Sequence, residues 1–404
     1  MQFCAGDIIL RSAPYGAALE TEFLSKACSY CLTCKPQLKK CSACSTVFYC
    51  SDQCQESDSD DHKFECEALS RSHPWVPDAE TRLLCRIWFR VRRERASPSE
   101  ESVLGTVRSF DSLMTHRDER DSEYIERIEK EIGLQVNRFL LRMDRPSLEM
   151  LVTIFLKMDI NTHQVTSWDG PMGCALYLGG SIVDHSCSPN PKITYFFHGR
   201  DFVMKALENV EIKGPHELNI GYVSFILPRD ARREQLRERY FFDCCCQRCV
   251  GEEVVTNLGG SGLASQVESL RNTADCETKY SGLLEMSRMD SVRKLPPNDY
   301  VQLSLNAGLF ALCGTLARYE EAALVGYRIL EVYDKMRVAP VHTLYLLCQV
   351  FSAALNADWY KPQNEHNFEF TALLVLAEQR SQVIWGPDHY HSKLLRTMKN
   401  ALIH

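Results

Sequence analysis

The sequence predicts an α+β protein built in parts: a strand-bearing region interrupted by a small metal-binding segment and by helices, then an all-α C-terminal region. Three observations carry this expectation. Residues 31–66 hold eight cysteine and histidine side chains at metal-ligand spacing. Ile193–Phe197 and Phe202–Ala206 alternate β-branched or aromatic residues across a hairpin-like connection. Past Leu258, apolar residues recur at helical spacing in Leu303–Ala317, Glu320–Tyr333, His342–Ala357 and Phe368–Trp385. A chain of 404 residues divides into two or more domains, and 45% hydrophobic with 25% charged residues is ordinary for a soluble protein. No stretch approaches eighteen consecutive apolar residues and no signal peptide opens the chain, so the expected setting is intracellular, away from membranes. In a reducing compartment the clustering of the nineteen cysteines points to metal rather than disulfides. A net charge of −7 leaves no footprint for nucleic acid, while tolerating a basic peptide as substrate.

Taken in order, residues 1–25 read as strands: Gly6-Asp7 marks a turn, Ile8-Ile9-Leu10 is a short apolar run, and Ser12–Gly16 breaks it. Cys31-x-x-Cys34, Cys41-x-x-Cys44, Cys50-x3-Cys54 and His62-x3-Cys66 supply the eight ligands that two tetrahedral sites need. Cys28 stands just outside this pattern and is taken as a bystander. So small a segment lacks a core of its own, and metal binding supplies its folding free energy. The acidic run Glu56–Asp61 reads as a solvated loop before His62. Ala79–Arg95 is an amphipathic helix, 96–103 a linker, and Val103–Met114, Tyr124–Asp144 and Ser147–Met158 are expected to be helical, with Pro146 in a first turn.

The apolar run Ala175–Leu178 leads into a short polar loop, Asp184-His185-Ser186-Cys187-Ser188-Pro189-Asn190. A loop next to a core must satisfy its own backbone, and Asp, Ser and Asn side chains do so locally. Sixty residues later, Cys244-x-Cys246-x-x-Cys249 offers three ligands that need a fourth, which Cys187 can supply; Cys245 is then the spare. Between the two lie Glu217-Leu218-Asn219-Ile220-Gly221-Tyr222 and a charged helix, Arg229–Arg239, that delivers the chain to Tyr240-Phe241-Phe242. Leu258–Gly262 is a Gly-rich joint before the helical tail. Arg318–Ala322 resembles the junction of a tetratricopeptide helix pair, although plain antiparallel packing describes the tail as well.

The cysteine-rich segment resembles a MYND zinc finger, and DHSCSPN with ELNIGY and CxCxxC resembles a SET domain with its post-SET zinc cluster. Together they resemble the SET-and-MYND (SMYD) family of protein-lysine methyltransferases over nearly the whole chain. The family loop is NHSCxPN, so Asp184 is a departure. The resemblance implies a SET β-fold split by the finger and a helical insert: 1–27 as its N-terminal part, 28–66 the finger, 67–149 the insert, 150–227 the SET core, 228–250 the post-SET segment, and 260–404 a TPR-like helical domain. It implies that Cys31, Cys34, Cys50 and Cys54 hold one zinc ion, Cys41, Cys44, His62 and Cys66 a second, and Cys187, Cys244, Cys246 and Cys249 a third. It implies S-adenosylmethionine as methyl donor, met by Asn161, Asp184, His185, Tyr222 and Phe242, with Tyr222 and Tyr240 as the catalytic tyrosine and the wall of a lysine channel; His163 falls where relatives place an aromatic channel residue. The expected substrate is a histone or non-histone protein lysine, and the expected protein a monomer of cytoplasm and nucleus.

Each of these side chains also has a plainer reading. A lone strand tyrosine is usually core packing, Tyr240 and Phe242 can pack beneath a metal cluster, and His185 can be a satisfied loop histidine. A second functional class stands beside the enzyme: a catalytically silent scaffold whose finger binds proline-rich peptides. Two features motivate it. The family's Gly-rich cofactor turn precedes the counterpart of Met1, and Asp184 only accepts hydrogen bonds when ionised, where an amide also donates.

Overall fold

In the computed structural model, which describes residues 1–167, 170–251, 253–336 and 340–402, the chain opens with β1 (Gln2–Phe3), β2 (Ile8–Ser12) and β3 (Gly16–Leu19). The cysteine-rich segment follows, with a hairpin of β4 (Lys39–Lys40) and β5 (Phe48–Tyr49), and runs directly into α1 (Asp52–Ser72). Ser51 caps α1 by accepting from the Cys54 N–H, and Asp78 caps α2 (Ala79–Arg93) by accepting from the Thr81 N–H. The acidic run expected as a loop is thus the second and third turns of a 21-residue helix, with Asp58 buried against α2. Glu56 and Asp60 are exposed as expected, and only Asp58 departs from the solvated reading, because its partner, Arg86, lies 28 residues away.

Residues 103–114 are not helical. Instead β6 (Glu100–Val103) and β7 (Thr106–Ser109) form a hairpin through Leu104-Gly105, both at positive φ. That two-residue turn matches strand twist, and Gly105 tolerates its φ of 83°. Short helices α3 (Ser122–Arg127) and α4 (Gly133–Phe139) flank a π turn, and α5 (Leu148–Asn161) starts at its Ser147 cap, so Pro146 precedes the helix rather than entering it.

Next, β8 (Thr162–Ser167) and β9 (Gly170–Leu176) join β3 in a three-stranded antiparallel sheet, with Ala18 and Gln164 both opposite Cys174. After the two-residue strand β10 (Asp184–His185), β11 (Ile193–His198) and β12 (Asp201–Ala206) form the expected hairpin, and β2 completes that sheet in the order β11-β12-β2. β13 (Val210–Glu211) pairs with β1, and β14 (Asn219–Ile220) pairs in parallel with β10, Asp184 opposite Asn219 and His185 opposite Ile220. That parallel pair brings the polar loop beside Tyr222.

α6 (Arg229–Tyr240) ends at Phe241 in the left-handed conformation, which turns the chain into the cysteines and α7 (Gln247–Val250). Beyond residue 258 the chain is helical: α8 (Gly260–Arg271), α9 (Cys276–Arg288), α10 (Asp290–Arg293), α11 (Tyr300–Thr315), α12 (Tyr319–Lys335), α13 (Pro340–Asn356), α14 (Asn367–Ile384) and α15 (Tyr390–Leu402). From α11 onward each helix packs on the next. Of the expected joint, 260–262 are the first turn of α8, whose glycines and serine hide its period, and α9 and α10 lie within the region expected to be helical. The last two residues of the expected tail, 403–404, lie outside the described residues. Phe196 and Val203 of the β11–β12 hairpin join the core of the helical region, so tail and sheet share buried surface. Among the described residues no helix is long and apolar enough to cross a membrane.

Candidate functional site

Two groups of four ligand atoms form in the finger. Cys28, Cys31, Cys50 and Cys54 make one, and Cys41, Cys44, His62 and Cys66 the other, with the atoms of each within 4.8 Å of one another. Cys34, expected in the first set, is exposed and stands outside it, and Cys28, fully buried, takes its place. The backbone gives the reason. At Cys28 and at Cys41 the carbonyl accepts from the N–H four residues on (Leu32, 2.9 Å; Ser45, 3.0 Å), and that fourth residue is left-handed in both (φ 53° and 54°). Thr33 and Thr46 then donate to the carbonyls of Cys31 and Cys44. The two knuckles are thus copies of one structure. Their shared pattern, Cys-Ser-x-Cys-x-Thr at 28–33 and again at 41–46, was the available signal for Cys28; the C-x-x-C of 31–34 lacks it.

The distances fit a tetrahedral ion. A Zn–S bond of about 2.3 Å sets sulfur atoms about 3.8 Å apart. The Cys31–Cys50, Cys50–Cys54 and Cys41–Cys66 sulfurs are 3.7, 3.6 and 3.8 Å apart, and Cys44 Sγ is 3.7 Å from His62 Nε2. The other His62 nitrogen meets Glu65 Oε2 at 3.2 Å, an outer partner that orients a ligating imidazole. Glu65 is in turn held by Arg86, which also reaches Asp58, and Asp58 accepts from the Tyr49 hydroxyl. Burial alone raises the Glu65 carboxyl, but Arg86, His62 and Arg82 outweigh it and hold the group well below the carboxylate range.

The third group is Cys187, Cys244, Cys246 and Cys249, with Cys187 4.0 Å from Cys244 and 3.6 Å from Cys249; Cys245 is exposed and outside it. Four thiolates and a divalent ion carry two negative charges. Arg232 and Arg248 stand beside them and share the carboxylate of Glu253, which leaves positive charge facing the thiolates. Arg232, fully buried, points Nη2 at Cys249 Sγ from 4.0 Å. The donor set and its surroundings therefore suit zinc in geometry and in charge.

This cluster adjoins an aromatic cavity of about 670 Å³ lined by Asn161, His163, Tyr195, Tyr222, Tyr240 and, from α13, His342, among others. The Tyr222 and Tyr240 rings are 4.9 Å apart. The Tyr222 hydroxyl donates to the Val183 carbonyl and its N–H to His185 Nδ1 at 2.9 Å. His185 Nε2 lies 3.1 Å from Cys187 Sγ. A histidine that accepts at Nδ1 and faces a thiolate with Nε2 is the neutral Nε2–H tautomer. Both ring nitrogens are thus engaged within the protein, leaving the main chain and the ring faces for other contacts. Phe242 packs 5.9 Å from the same ring. Burial, with the charge of Asp184 next, pushes the Tyr222 hydroxyl far above its ordinary value, so it stays a phenol. Burial lowers His163 to about 4, so it is neutral.

Asn161 lines the cavity and donates to the Lys157 carbonyl, closing α5. Asp184 is exposed on the outer side of β10, away from the lining. A second cavity, of about 500 Å³, meets Tyr222 and Tyr240 together with Arg120, Tyr124 and Asp159. Arg120 and Tyr124 bond to Asp159 at 2.6 and 3.0 Å. The sequence reading passed over these residues, because their partner lies more than thirty positions away.

Comparison with known proteins adds two findings. Residues 28–66 match the MYND finger family, a span that starts at Cys28. Over 81% of its length the chain is 27% identical to the human histone-lysine N-methyltransferase SMYD3, covering 78% of that protein. It is 30% identical to the human N-lysine methyltransferase SMYD2 over 62% of the chain and 57% of the relative, and 26% identical to Xenopus laevis SMYD2-B over 96% and 92%.

Proposed function

We propose that this chain is a member of the SET-and-MYND family, on its MYND finger and its likeness to SMYD proteins, and that it is an S-adenosylmethionine-dependent protein-lysine N-methyltransferase with three structural zinc ions. In the sheets β11-β12-β2 and β3-β9-β8, strands β2 and β3 are then the N-terminal half of a split SET fold paired with strands of its second half, residues 244–249 its post-SET cluster, and the C-terminal helices a TPR-like domain. One observation carries the reading: the Tyr222 and Tyr240 rings pack 4.9 Å apart at a tilt of 41° where two cavities meet, beside a four-cysteine cluster whose Cys187 leads through His185 to the Tyr222 backbone.

S-adenosylmethionine supplies an electrophilic methyl on a sulfonium; the protein supplies alignment, an apolar passage and fixed dipoles. A lysine entering beside Tyr222 and Tyr240 loses its water, which favours the neutral amine that the displacement requires. The aromatic faces hold the cationic form until the proton leaves and the methylated product afterwards. Tyr222 is held at both ends, hydroxyl on Val183 and N–H on His185, so its ring cannot swing across the passage. As a permanent phenol it presents an oxygen lone pair and dipole, not a nucleophilic phenolate. Asn161, Asp184 and Phe242 remain the residues proposed to meet the donor, with His185 restricted to its main chain and ring face. No feature of the described residues favours the silent scaffold.

The test joins calorimetric titration with S-adenosylmethionine to transfer of labelled methyl to a library of lysine peptides, for wild type and Tyr222→Phe. Micromolar binding by both proteins and a loss of roughly 100-fold in transfer by the variant are expected. Failure of wild type to bind the donor at millimolar concentration, or an unimpaired variant, would overturn the assignment.

A further inference from the structure

The aromatic cavity does not end at Tyr222. It runs into a smaller one of about 80 Å³, and Tyr195, Gly221, Val341 and His342 line both. The result is one cleft between the β11–β14 region and the first turns of α13. His342, Tyr345 and Gln349 repeat at helical spacing and form its far wall.

The charge of this cleft is one-sided. Among the described residues lining the two cavities there is no aspartate and no glutamate, and three arginines are present: Arg239 in the larger, Arg232 and Arg248 in the smaller. The carboxylates behind them are occupied, Asp159 by Arg120 and Arg239, Glu253 by Arg232 and Arg248. Both lining histidines are neutral, since burial lowers His163 and His342. Two buried hydroxyls also lack partners: Thr162 Oγ1 at the larger cavity and Thr194 Oγ1, on a side chain 3% exposed, at the smaller.

We infer that the substrate of this cleft is a lysine whose neighbours are neutral or acidic, and that a strongly basic tail is selected against. The inference rests on the methyltransferase reading and narrows it. An arginine or lysine flanking the target would enter a wall that offers no carboxylate, and a cation that gives up its water without gaining a counter-ion is costly to hold there. A flanking carboxylate, amide or hydroxyl meets the guanidinium groups of Arg239 and Arg248 instead.

The test uses the zinc-loaded full chain and two peptides that share one central lysine, flanked by Arg and Lys in the first and by Gln, Ser and Glu in the second. Binding is read by fluorescence anisotropy and methyl transfer by labelled donor, each across a range of salt. The neutral-to-acidic peptide should be preferred about tenfold, with the gap shrinking as salt rises. His342→Glu and, separately, Gln349→Glu place a carboxylate on the α13 wall and should shift preference toward the basic peptide without touching the zinc cluster. Equal or reversed preference in wild type, or no binding of either peptide, would overturn the inference. Peptide discrimination without methyl transfer would leave the cleft's selectivity standing and sink the enzyme reading instead.

Discussion

Cys28 and Cys34 are both three residues from Cys31, and only one of them belongs to the metal. Counting spacings cannot separate them; the left-handed residue after each knuckle and the threonine that follows can. Cys28→Ser should therefore reduce bound zinc from three ions per chain to two, measured by atomic emission, whereas Cys34→Ser should leave three. His163 adds a prediction in pH. Its folded value lies below the ordinary histidine value, so below about pH 6.5 the unfolded chain takes up a proton that the folded chain refuses until about pH 4. Its contribution to stability is complete above that window and fades as pH falls through it. The slope is at most about 1.4 kcal/mol per pH unit, less where cavity water reaches the ring. His163→Phe should flatten the difference between urea midpoints at pH 6.5 and 5; an unchanged difference would mean that the ring is hydrated. Tyr222 was readable from its ELNIGY context, but its tether to His185 was not, because that hydrogen bond spans 37 positions.

Between elements, the junction of α1 and α2 depends on charge buried as a set. Arg86 is 7% exposed and bridges Asp58 and Glu65, while Arg82 reaches Glu65 and donates to the Leu19 carbonyl of β3. The finger is thereby locked to the strand region through its own zinc-ligand helix. Arg86→Met should leave Asp58 buried without its cation and Glu65 with only Arg82 and His62, and cost about 3–5 kcal/mol, read as a fall in the urea midpoint. A change below about 1 kcal/mol would show that water already solvates the pair. Gly173 gives a second test. A Cβ there would lie 2.3 Å from the Ala18 carbonyl oxygen, so Gly173→Ala should part β9 from β3 and lower the melting temperature, while Gly262→Ala, with open space around it, should not. The hairpin at 100–109 reads in the sequence as a linker to 103 and a helix beyond, because its strands are four residues each, too short for an alternating pattern to show.

For the molecule as a whole, metal and fold are expected to fail together. Stripping zinc with a strong chelator should lose the third cluster, and with it the bracing of His185 and Tyr222. Lysine-peptide binding and near-ultraviolet circular dichroism should then fall in parallel, while the helical tail, which has a core of its own, keeps its far-ultraviolet signal. Loss of tail helicity at the same chelator concentration would instead place the whole chain in one cooperative unit. What the sequence by itself determined is whatever depends on local spacing: seven of the eight finger ligands, the Cys187 to Cys249 set, the β11–β12 hairpin, and helices α11 to α14. Those patterns repeat within a turn or a strand, so neighbouring residues carry the information. Only the tertiary structure decided that Asp58 of the acidic run is buried against α2, that His185 accepts from the Tyr222 N–H, and that α13 walls the cleft. Each of these turns on partners tens to more than a hundred positions away, brought together by shared burial, and spacing along the chain holds no record of that.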